Sequence, residues 1–240
     1  MRFASHRDVA RVFERGVRRA GLPIAHSAGF TPHPKISYAG GAPTGVASEA
    51  EYLSLALTTR NEAADVRERL NAALPDGIDV IAVTEDAGGL PASRLTASAW
   101  RVILPGVSPE AAAPAVEKFL ALDQAPVERL TNKGMRRMDA RAAVVSLTVV
   151  TSAVSSLNAV SPTGTVSSVE AMLSAAAVSP ADGASGCVVM EMVLRHTVPA
   201  VRPDDVLTAL SGISDLASSV PAVMTRLTQG VLGETGVVAL

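Results

Sequence analysis

Residues 5–23 read SHRDVARVFERGVRRAGLP, a stretch that contains the signals for both ends of a helix. Ser5 is a residue type that accepts a hydrogen bond at a helix N-terminus, and Asp8 stands where the reciprocal partner of a capping box belongs. Apolar side chains recur at helical spacing and form one face: Val9, Val12, Phe13 and Val17. Gly21, closely followed by Pro23, marks the end of the helix.

The remainder of the first half alternates strands with a second helix. Its predicted elements are a strand over 36–42, an alternating strand with Leu53, Leu55 and Leu57 on one face, a helix over 61–74 and a strand over 78–83. We expect residues 2–4 to be the end of a first strand, and we expect that strand to be truncated. The order strand, helix, strand, strand, helix, strand is the split βαβ pattern of a ferredoxin-like domain.

The second half repeats this order loosely. Its predicted elements are a strand over 96–104, a helix over 108–122, strands over 143–150 and 187–195, a helix over 203–210 and a strand over 222–228. We therefore expect an α+β fold of two ferredoxin-like halves packed together, over 1–86 and 96–240, with a linker over 87–95. Residues 151–186, which are almost all Ser, Ala, Val, Thr, Gly and Pro, are expected to form a mobile low-complexity insertion.

Composition narrows the class of protein. No apolar run approaches the roughly 18 residues that a membrane-spanning helix needs, so no membrane association is expected. The single cysteine, Cys187, excludes an internal disulfide and a cysteine-based zinc cluster. The first residues contain no apolar stretch of the kind that a signal peptide needs, and we therefore expect a cytoplasmic protein.

The formal net charge of −2 hides two basic clusters on an otherwise acidic chain. Residues 1–38 contain seven Lys and Arg against two acids, and residues 129–141 contain five against Asp139 alone. Clusters of this kind favour a localised anion-binding site over general polyanion binding.

Several sequence blocks occur together in a fixed order. The blocks are Arg2-Phe3-x-Ser5-His6-x-Asp8, Phe13-Glu14-Arg15 with Arg18-Arg19-Ala20-Gly21-Leu22-Pro23, Ser27-x-Gly29-Phe30-x-Pro32-His33-Pro34-Lys35-Ile36-Ser37, Gly45-Val46-x-Ser48-Glu49-x-Glu51-Tyr52-Leu53, and, more weakly, Lys133, Arg136-Arg137, Asp139 and Arg141. Together these blocks resemble the radical-SAM-linked protein family, a bacterial family of unknown function. The resemblance covers nearly the whole chain except the predicted insertion.

The resemblance implies a companion to a radical SAM protein that carries a cobalamin-binding region, since the family is found fused to such proteins or encoded beside them. The chain cannot be the radical SAM enzyme itself, because an iron–sulfur cluster needs several thiolates and only one cysteine is present. We expect no cofactor in this chain.

The loop Phe30-x-Pro32-His33-Pro34-Lys35 is the most distinctive local feature. Two prolines restrict the backbone around His33 and direct its imidazole and the ammonium of Lys35. One interpretation is a preorganised contact to a phosphate, a carboxylate or a nucleobase, with Phe30 as a stacking surface. The other is a rigid corner that leads into the next strand, with Phe30 in the core.

The basic clusters also have two interpretations. Charged residues on one face of an amphipathic helix are usually a solvated face. If both clusters line one groove, however, their arginines suit phosphate recognition. The candidate substrate- or anion-binding residues are Arg15, Arg18, Arg19, Phe30, His33, Lys35, Lys133, Arg136 and Arg137.

No arrangement of residues supports catalysis or metal binding. Ser5, His6 and Asp8 lie on one helical turn, where their side chains diverge and cannot form a relay. His6, Asp8, His26 and His33 are not at a metal-ligand spacing, and the surrounding arginines would repel a cation. We therefore name no catalytic and no metal-binding residue.

Three functions remain open. The favoured one is a non-catalytic accessory or substrate-binding module that works with a radical SAM enzyme, through RNA or another anionic substrate. The second is a metal-independent RNA-processing enzyme, suggested by fold analogy alone, so enzymatic activity is left undecided. The third is a protein-interaction domain that docks on the radical SAM partner, with Phe30 as its anchor.

Overall fold

A computed structural model describes residues 3, 5–86, 92–131, 134–150, 186–214, 216, 218, 220–234 and 236–239 of the chain. The fold is α+β, as predicted, and divides into unit 1 (Met1–Leu95) and unit 2 (Thr96–Leu240). Most of the predicted linker and insertion, residues 87–91 and 151–185, falls outside the described part. In the part that is described, no helix is long and apolar enough to cross a bilayer.

Unit 1 combines two longer helices with an antiparallel ribbon. Its elements are α1 (His6–Arg19), β1 (Ile36–Ala39), β2 (Ala47–Ser48), β3 (Tyr52–Leu55), α2 (Ala63–Ala73) and a single 3₁₀ turn (Ala92–Arg94). The predicted capping box at Ser5 is confirmed: the backbone N–H of Asp8 donates to Ser5 Oγ at 3.3 Å, and that of Ser5 donates to Asp8 Oδ2 at 3.1 Å. The start and the end of α1 were therefore predictable from its caps.

The core of unit 1 forms where the helices pack on one face of the β1–β3 ribbon. Tyr38 pairs with Leu53 in the antiparallel register, and both side chains lie against the buried residues of α1 and α2. The helices approach closely at Gly16, where a Cβ atom would come within 2.8 Å of the Leu74 side chain. Phe13 and Val17, predicted from their spacing, are buried in this core.

The strand predicted over 78–83 is wrong, since no strand is assigned there. The backbone of Val80 is instead held by a side chain. Val80 N donates to Asn71 Oδ1 at 2.7 Å, and Asn71 Nδ2 donates to Val80 O at 3.1 Å. A side-chain amide thus satisfies the peptide groups that a neighbouring strand would otherwise bond. Of the predicted first strand, residues 2 and 4 lie outside the described part, and Phe3 is in a turn.

Unit 2 is built on a five-stranded antiparallel sheet. Its elements are β4 (Ala97–Pro105), α3 (Pro109–Leu120), β5 (Pro126–Thr131), β6 (Gly134–Asp139), α4 (Ala140–Ala143), β7 (Val144–Val150), β8 (Cys187–Arg195), α5 (Pro203–Ile213), β9 (Val223–Gly233) and β10 (Gly236–Ala239). The described strands of this sheet follow the order β10-β9-β4-β8-β7. Helix α3 lies between β4 and β5 in the chain and packs against β7, β8 and α5.

Buried apolar residues occupy most of the central strands. Val102 on β4 pairs with Met190 on β8, and both are fully buried. Phe119 of α3 and Leu210 of α5 are also fully buried. A further buried cluster joins Ile103 on β4, Val189 on β8 and Val223 on β9. Because apolar residues run along nearly the whole of β4 and β8, both strands were predicted almost to the residue.

The sequence did not predict the hairpin of β5 and β6, which crosses the second basic cluster. Its inner face carries a buried pair, Val127 opposite Met138. Arg129 forms a salt bridge with Asp205, a residue only 4% exposed at the start of α5, and donates to Ala200 O at 3.0 Å. Hydrophobic periodicity could not reveal strands in which arginine takes an inward position.

We predict that Arg129→Met lowers the free energy of unfolding by about 3 kcal/mol, because it leaves the Asp205 carboxylate buried without its cation. Arg136, directly opposite Arg129 in the hairpin, is exposed and provides the matched control. Arg136→Met should change stability by no more than about 0.5 kcal/mol. Urea denaturation followed by the fluorescence of Trp100, the single tryptophan and a residue of β4, measures both; equal effects would contradict the prediction.

Candidate binding surfaces

Four arginines of α1 recur at helical spacing: Arg7, Arg11, Arg15 and Arg18. This arginine stripe lies on the side of the helix opposite its buried face. Phe13, Gly16 and Val17 are the buried residues of α1, and a rotation of about 100° per residue places Arg11 and Arg18 across from them. Arg15 and Arg18 are exposed, and no hydrogen bond or ion pair joins the side chain of either one to another described residue. Their guanidinium groups are therefore available to a ligand.

Arg19, also predicted as an anion-binding residue, has a structural partner. Its Nη1 donates to the carbonyl of Ala73 at the end of α2, at 3.3 Å. In return, Arg69 of α2 donates to the carbonyls of Ala20 and Gly21 at the end of α1, at distances between 2.7 and 3.0 Å. Each helix thus supplies donors to the C-terminal carbonyls of the other, and this contact orients Arg19 within the fold.

The Phe30 loop, residues 27–33, is closed by hydrogen bonds across its base. Ser27 N donates to His33 O at 2.8 Å, and His33 N donates to Ser27 Oγ at 3.0 Å. Lys35 N donates to Ala25 O at 2.8 Å and so continues the pairing toward β1. Gly29, with a φ of 125°, adopts a backbone conformation that other residues rarely reach. The loop therefore has a defined base.

Phe30 projects from this loop into solvent, with a side chain that is fully exposed (109%). The interpretation that placed Phe30 in the core is therefore wrong, because the loop extends away from the core of unit 1. His33 and Lys35 are exposed as well. The loop and the residue two positions after it therefore expose an aromatic ring, an imidazole and an ammonium group.

The stripe on α1 and Lys35 point to different sides of the β1–β3 ribbon. Ile36 and Tyr38 face the helices, and alternation turns Lys35 and Ser37 to the other side. Because α1 covers the first side with its apolar face, its arginines point away from the ribbon. Within unit 1 the predicted residues thus form two surfaces, one on α1 and one at the Phe30 loop.

In unit 2, four arginines of the second basic cluster divide into two pairs. Arg129 binds Asp205, and Arg141 donates to the carbonyls of Leu120 and Val144 at 3.2 and 3.1 Å. The other pair, Arg136 and Arg137 on β6, is exposed, and the two side chains form no hydrogen bond or ion pair with the described residues. As neighbours on one strand, Arg136 and Arg137 point to opposite faces of the hairpin. Lys133 lies outside the described residues.

Arg137 also lines an open cleft of about 300 Å³ at the base of the hairpin, together with Gln124, Pro126, Met138 and Asp139. Asp139 is fixed in place, because its Oδ1 accepts from the backbone N–H groups of Ala125 and Arg141, both at 2.9 Å. The cleft thus contains one exposed cation and one carboxylate held by backbone hydrogen bonds.

A buried phenol in unit 1 was not predicted from the sequence. Tyr38 Oη is shielded from solvent and has no hydrogen-bond partner among the described residues. The ring of His6 meets the Tyr38 ring edge-on, with 5.1 Å between centroids. Burial, and secondarily the nearby Glu14 carboxylate, raises the pKa of Tyr38 to about 12. Only the alternation of β1 could have indicated an inward Tyr38.

Within the described ranges, no group of three or more His, Cys, Asp or Glu side chains lies close enough together to hold a metal ion. His6 contacts Tyr38, Asp8 caps α1, and His26 forms an isolated bridge with Pro34. These three residues therefore make separate structural contacts.

Comparison with known proteins identifies a family and no function. The sequence model of a family described as an uncharacterized protein conserved in bacteria (DUF2344) matches residues 1–203 of the chain. No curated protein matches the chain.

We predict that Tyr38 makes the stability of the protein depend on alkaline pH. The pKa of the Tyr38 phenol is about 12 in the folded state, whereas in the unfolded chain the phenol has the ordinary pKa of 10.0. The contribution of Tyr38 is therefore fully present below pH 10 and is lost as the pH rises toward 12. Chemical denaturation of the wild type and of Tyr38→Phe between pH 8 and roughly pH 11.5 measures it.

The stability of the wild type relative to Tyr38→Phe should fall across this range. Tyr52→Phe, which removes the other of the two tyrosines, retains Tyr38 and should show the same fall as the wild type. A difference between wild type and Tyr38→Phe that stays constant with pH would show that Tyr38 ionises alike in the folded and unfolded states.

Proposed function

Because the chain belongs to the DUF2344 family of uncharacterized proteins conserved in bacteria, and because its sequence blocks resemble the radical-SAM-linked family, we propose that it is a non-catalytic accessory or substrate-binding module that works with a radical SAM enzyme. The partner comes from the resemblance. The cytoplasm is the proposed compartment, where such an enzyme would be encountered.

One observation carries the binding function: Phe30 is fully exposed on a loop that is closed at its base. An exposed aromatic ring offers a large contact area, and the hydrogen bonds between Ser27 and His33 reduce the conformational entropy that binding would cost. His33 and Lys35, which are exposed three and five residues further along the chain, add polar and cationic groups. This combination suits a ligand that has both a flat apolar surface and a negative charge.

RNA satisfies both requirements and is the substrate class that we test first. Its bases stack on aromatic side chains, and its phosphates attract lysine and arginine. Arg15 and Arg18 on α1, and Arg136 and Arg137 on β6, are further cations available for phosphate contacts. Other anionic substrates with a planar group would meet the same chemistry.

We further infer that unit 2 has a ferredoxin-like core. The order β4, α3, β7, β8, α5, β9 along the chain and β9-β4-β8-β7 across the antiparallel sheet supports this inference. For unit 1, the same architecture remains a hypothesis from the sequence order. Single-stranded RNA is bound by some sheets of this architecture, and this link to RNA is an analogy at the level of the fold.

The two alternative functions differ in their support. An RNA-processing enzyme would need an acid–base pair, and in the described part of the chain no hydrogen bond joins His33 to a carboxylate. A protein-docking domain is supported by the same exposed Phe30, which could insert into an apolar pocket of the radical SAM partner. The first experiment must therefore separate RNA from a protein partner.

We predict that the purified protein binds single-stranded RNA with an affinity that falls as salt concentration rises. Lys35→Ala should lower the slope of log K against log salt by about 0.7, because one phosphate contact is lost. Phe30→Ala should weaken binding by roughly tenfold, the effect of losing one stacked base. Fluorescence anisotropy across a salt series measures both.

Arg67→Ala is the matched control, since Arg67 is an exposed arginine on α2 outside the proposed surface. It should leave RNA affinity unchanged. If no RNA binds at low salt, nucleic acid is excluded as the ligand. Loss of co-purification with a cobalamin-binding radical SAM protein on Phe30→Ala would then support the docking function instead.

A further inference from the structure

The β5–β6 hairpin of unit 2 carries an exposed apolar pair that the proposed function does not use. Leu130 and Met135 lie directly opposite each other in the antiparallel register, and their side chains are 74% and 59% exposed. The next pair on the same face is Glu128 opposite Arg137. This face points away from the buried pair of Val127 and Met138.

Beside this face, β6 has a strand edge without a partner in the described part of the chain. Strand β6 pairs only with β5 there, in a two-stranded sheet. Alternate residues of β6 therefore direct their backbone N–H and C=O groups away from β5. Six residues in extended conformation present an edge of roughly 20 Å, enough for one short strand.

The hairpin is held in place by its inner face. Arg129 forms a salt bridge with Asp205, and Asp205 Oδ2 also accepts from Arg202 N at 2.7 Å. Asp139 Oδ1, at the end of β6, accepts from the backbone of Ala125 and Arg141. A ligand that binds the outer edge therefore does not have to order the strand first, which lowers the entropy cost of binding.

We propose that the outer edge of β6 binds an extended, acidic peptide segment of a partner protein as an added strand. In such a strand, side chains opposite consecutive β6 residues alternate between the two faces of the sheet. An apolar side chain would lie beside Met135, and carboxylates would lie beside Arg136 and Arg137. The matching peptide thus has two adjacent acids next to one apolar residue.

A peptide fits this surface better than a nucleic acid for two reasons. The edge offers alternating donors and acceptors, which another peptide backbone complements and a sugar–phosphate backbone does not. The described residues of β5 and β6 also include no aromatic side chain on which a base could stack, whereas Leu130 and Met135 offer apolar contact. The inference does not depend on the Phe30 loop, which lies in unit 1.

Binding of labelled peptides to the full chain tests the proposal by fluorescence anisotropy. The probe is a peptide of about ten residues, long enough to span the six residues of β6, with an Asp-Glu-Val centre flanked by alternating Thr and Val. A second peptide has the same side chains but N-methyl groups on alternate backbone nitrogens. A third replaces Asp-Glu with Lys-Lys.

The acidic peptide should bind, and the N-methylated peptide should not. The Arg136→Ala/Arg137→Ala variant should bind the acidic peptide about tenfold more weakly, because two exposed ion pairs are lost. Arg136→Glu/Arg137→Glu should reverse the preference and bind the Lys-Lys peptide. Arg67→Ala, at an exposed arginine of α2 outside both proposed binding surfaces, should have no effect. Unchanged Trp100 fluorescence verifies that the variants are folded.

Two results would overturn the proposal. Equal binding of the N-methylated peptide would show attraction by charge without strand addition. Absence of peptide binding, together with RNA binding that the Arg136→Ala/Arg137→Ala variant loses, would identify the hairpin as a nucleic-acid contact instead.

Discussion

Every α-helix ends in carbonyl groups that lack partners within the helix, and in this protein arginine side chains supply the missing donors. Arg19 donates to Ala73 O at the end of α2, and Arg69 donates to the last carbonyls of α1. In unit 2, Arg141 donates to Leu120 O at the end of α3. These guanidinium groups connect elements that are distant in sequence, so the packing of the helices depends on them.

This constraint divides the arginines into an internal and an external set. An arginine bonded to carbonyls inside one unit is oriented by the fold, and its replacement would first affect stability. Arg15, Arg18, Arg136 and Arg137 have no such bond to the described residues, and a ligand can orient them without breaking a contact of the fold. The second set is therefore where recognition of an anion or of an acidic peptide is to be sought.

The sequence predicted the helices and strands whose signals lie within the element itself, namely helix caps and the alternation of buried and less buried residues. Helix α1 begins and ends at its predicted caps, and β8 agrees with its predicted bounds because its residues alternate between a buried and a less buried face. The β5–β6 hairpin was not predicted, because Arg129 occupies an inward position of β5 where an alternating strand would have an apolar residue. The salt bridge with Asp205, which is distant in sequence, is what stabilises Arg129 there. The prediction of a strand over 78–83 was wrong because of another side-chain contact. The side chain of Asn71 bonds the backbone of Val80, which a neighbouring strand would otherwise do.

The predicted binding residues show the same limit. Composition and spacing identified Arg18 and Arg19 as one basic group, yet only the fold reveals that Arg19 contacts the end of α2. For Phe30 the sequence left two interpretations open, and the exposure of the ring excludes its position in the core.

An exposed phenylalanine adds no buried apolar area and so contributes little to folding stability. Its neighbours, however, hold the loop in a defined shape: Ser27 and His33 bond across its base, and Gly29 permits its turn. A loop that is ordered around a solvent-exposed aromatic ring is of use when the ring has something to contact. Packing within unit 1 therefore does not account for the combination of order and exposure at Phe30, and this combination is the observation on which the proposed binding function rests.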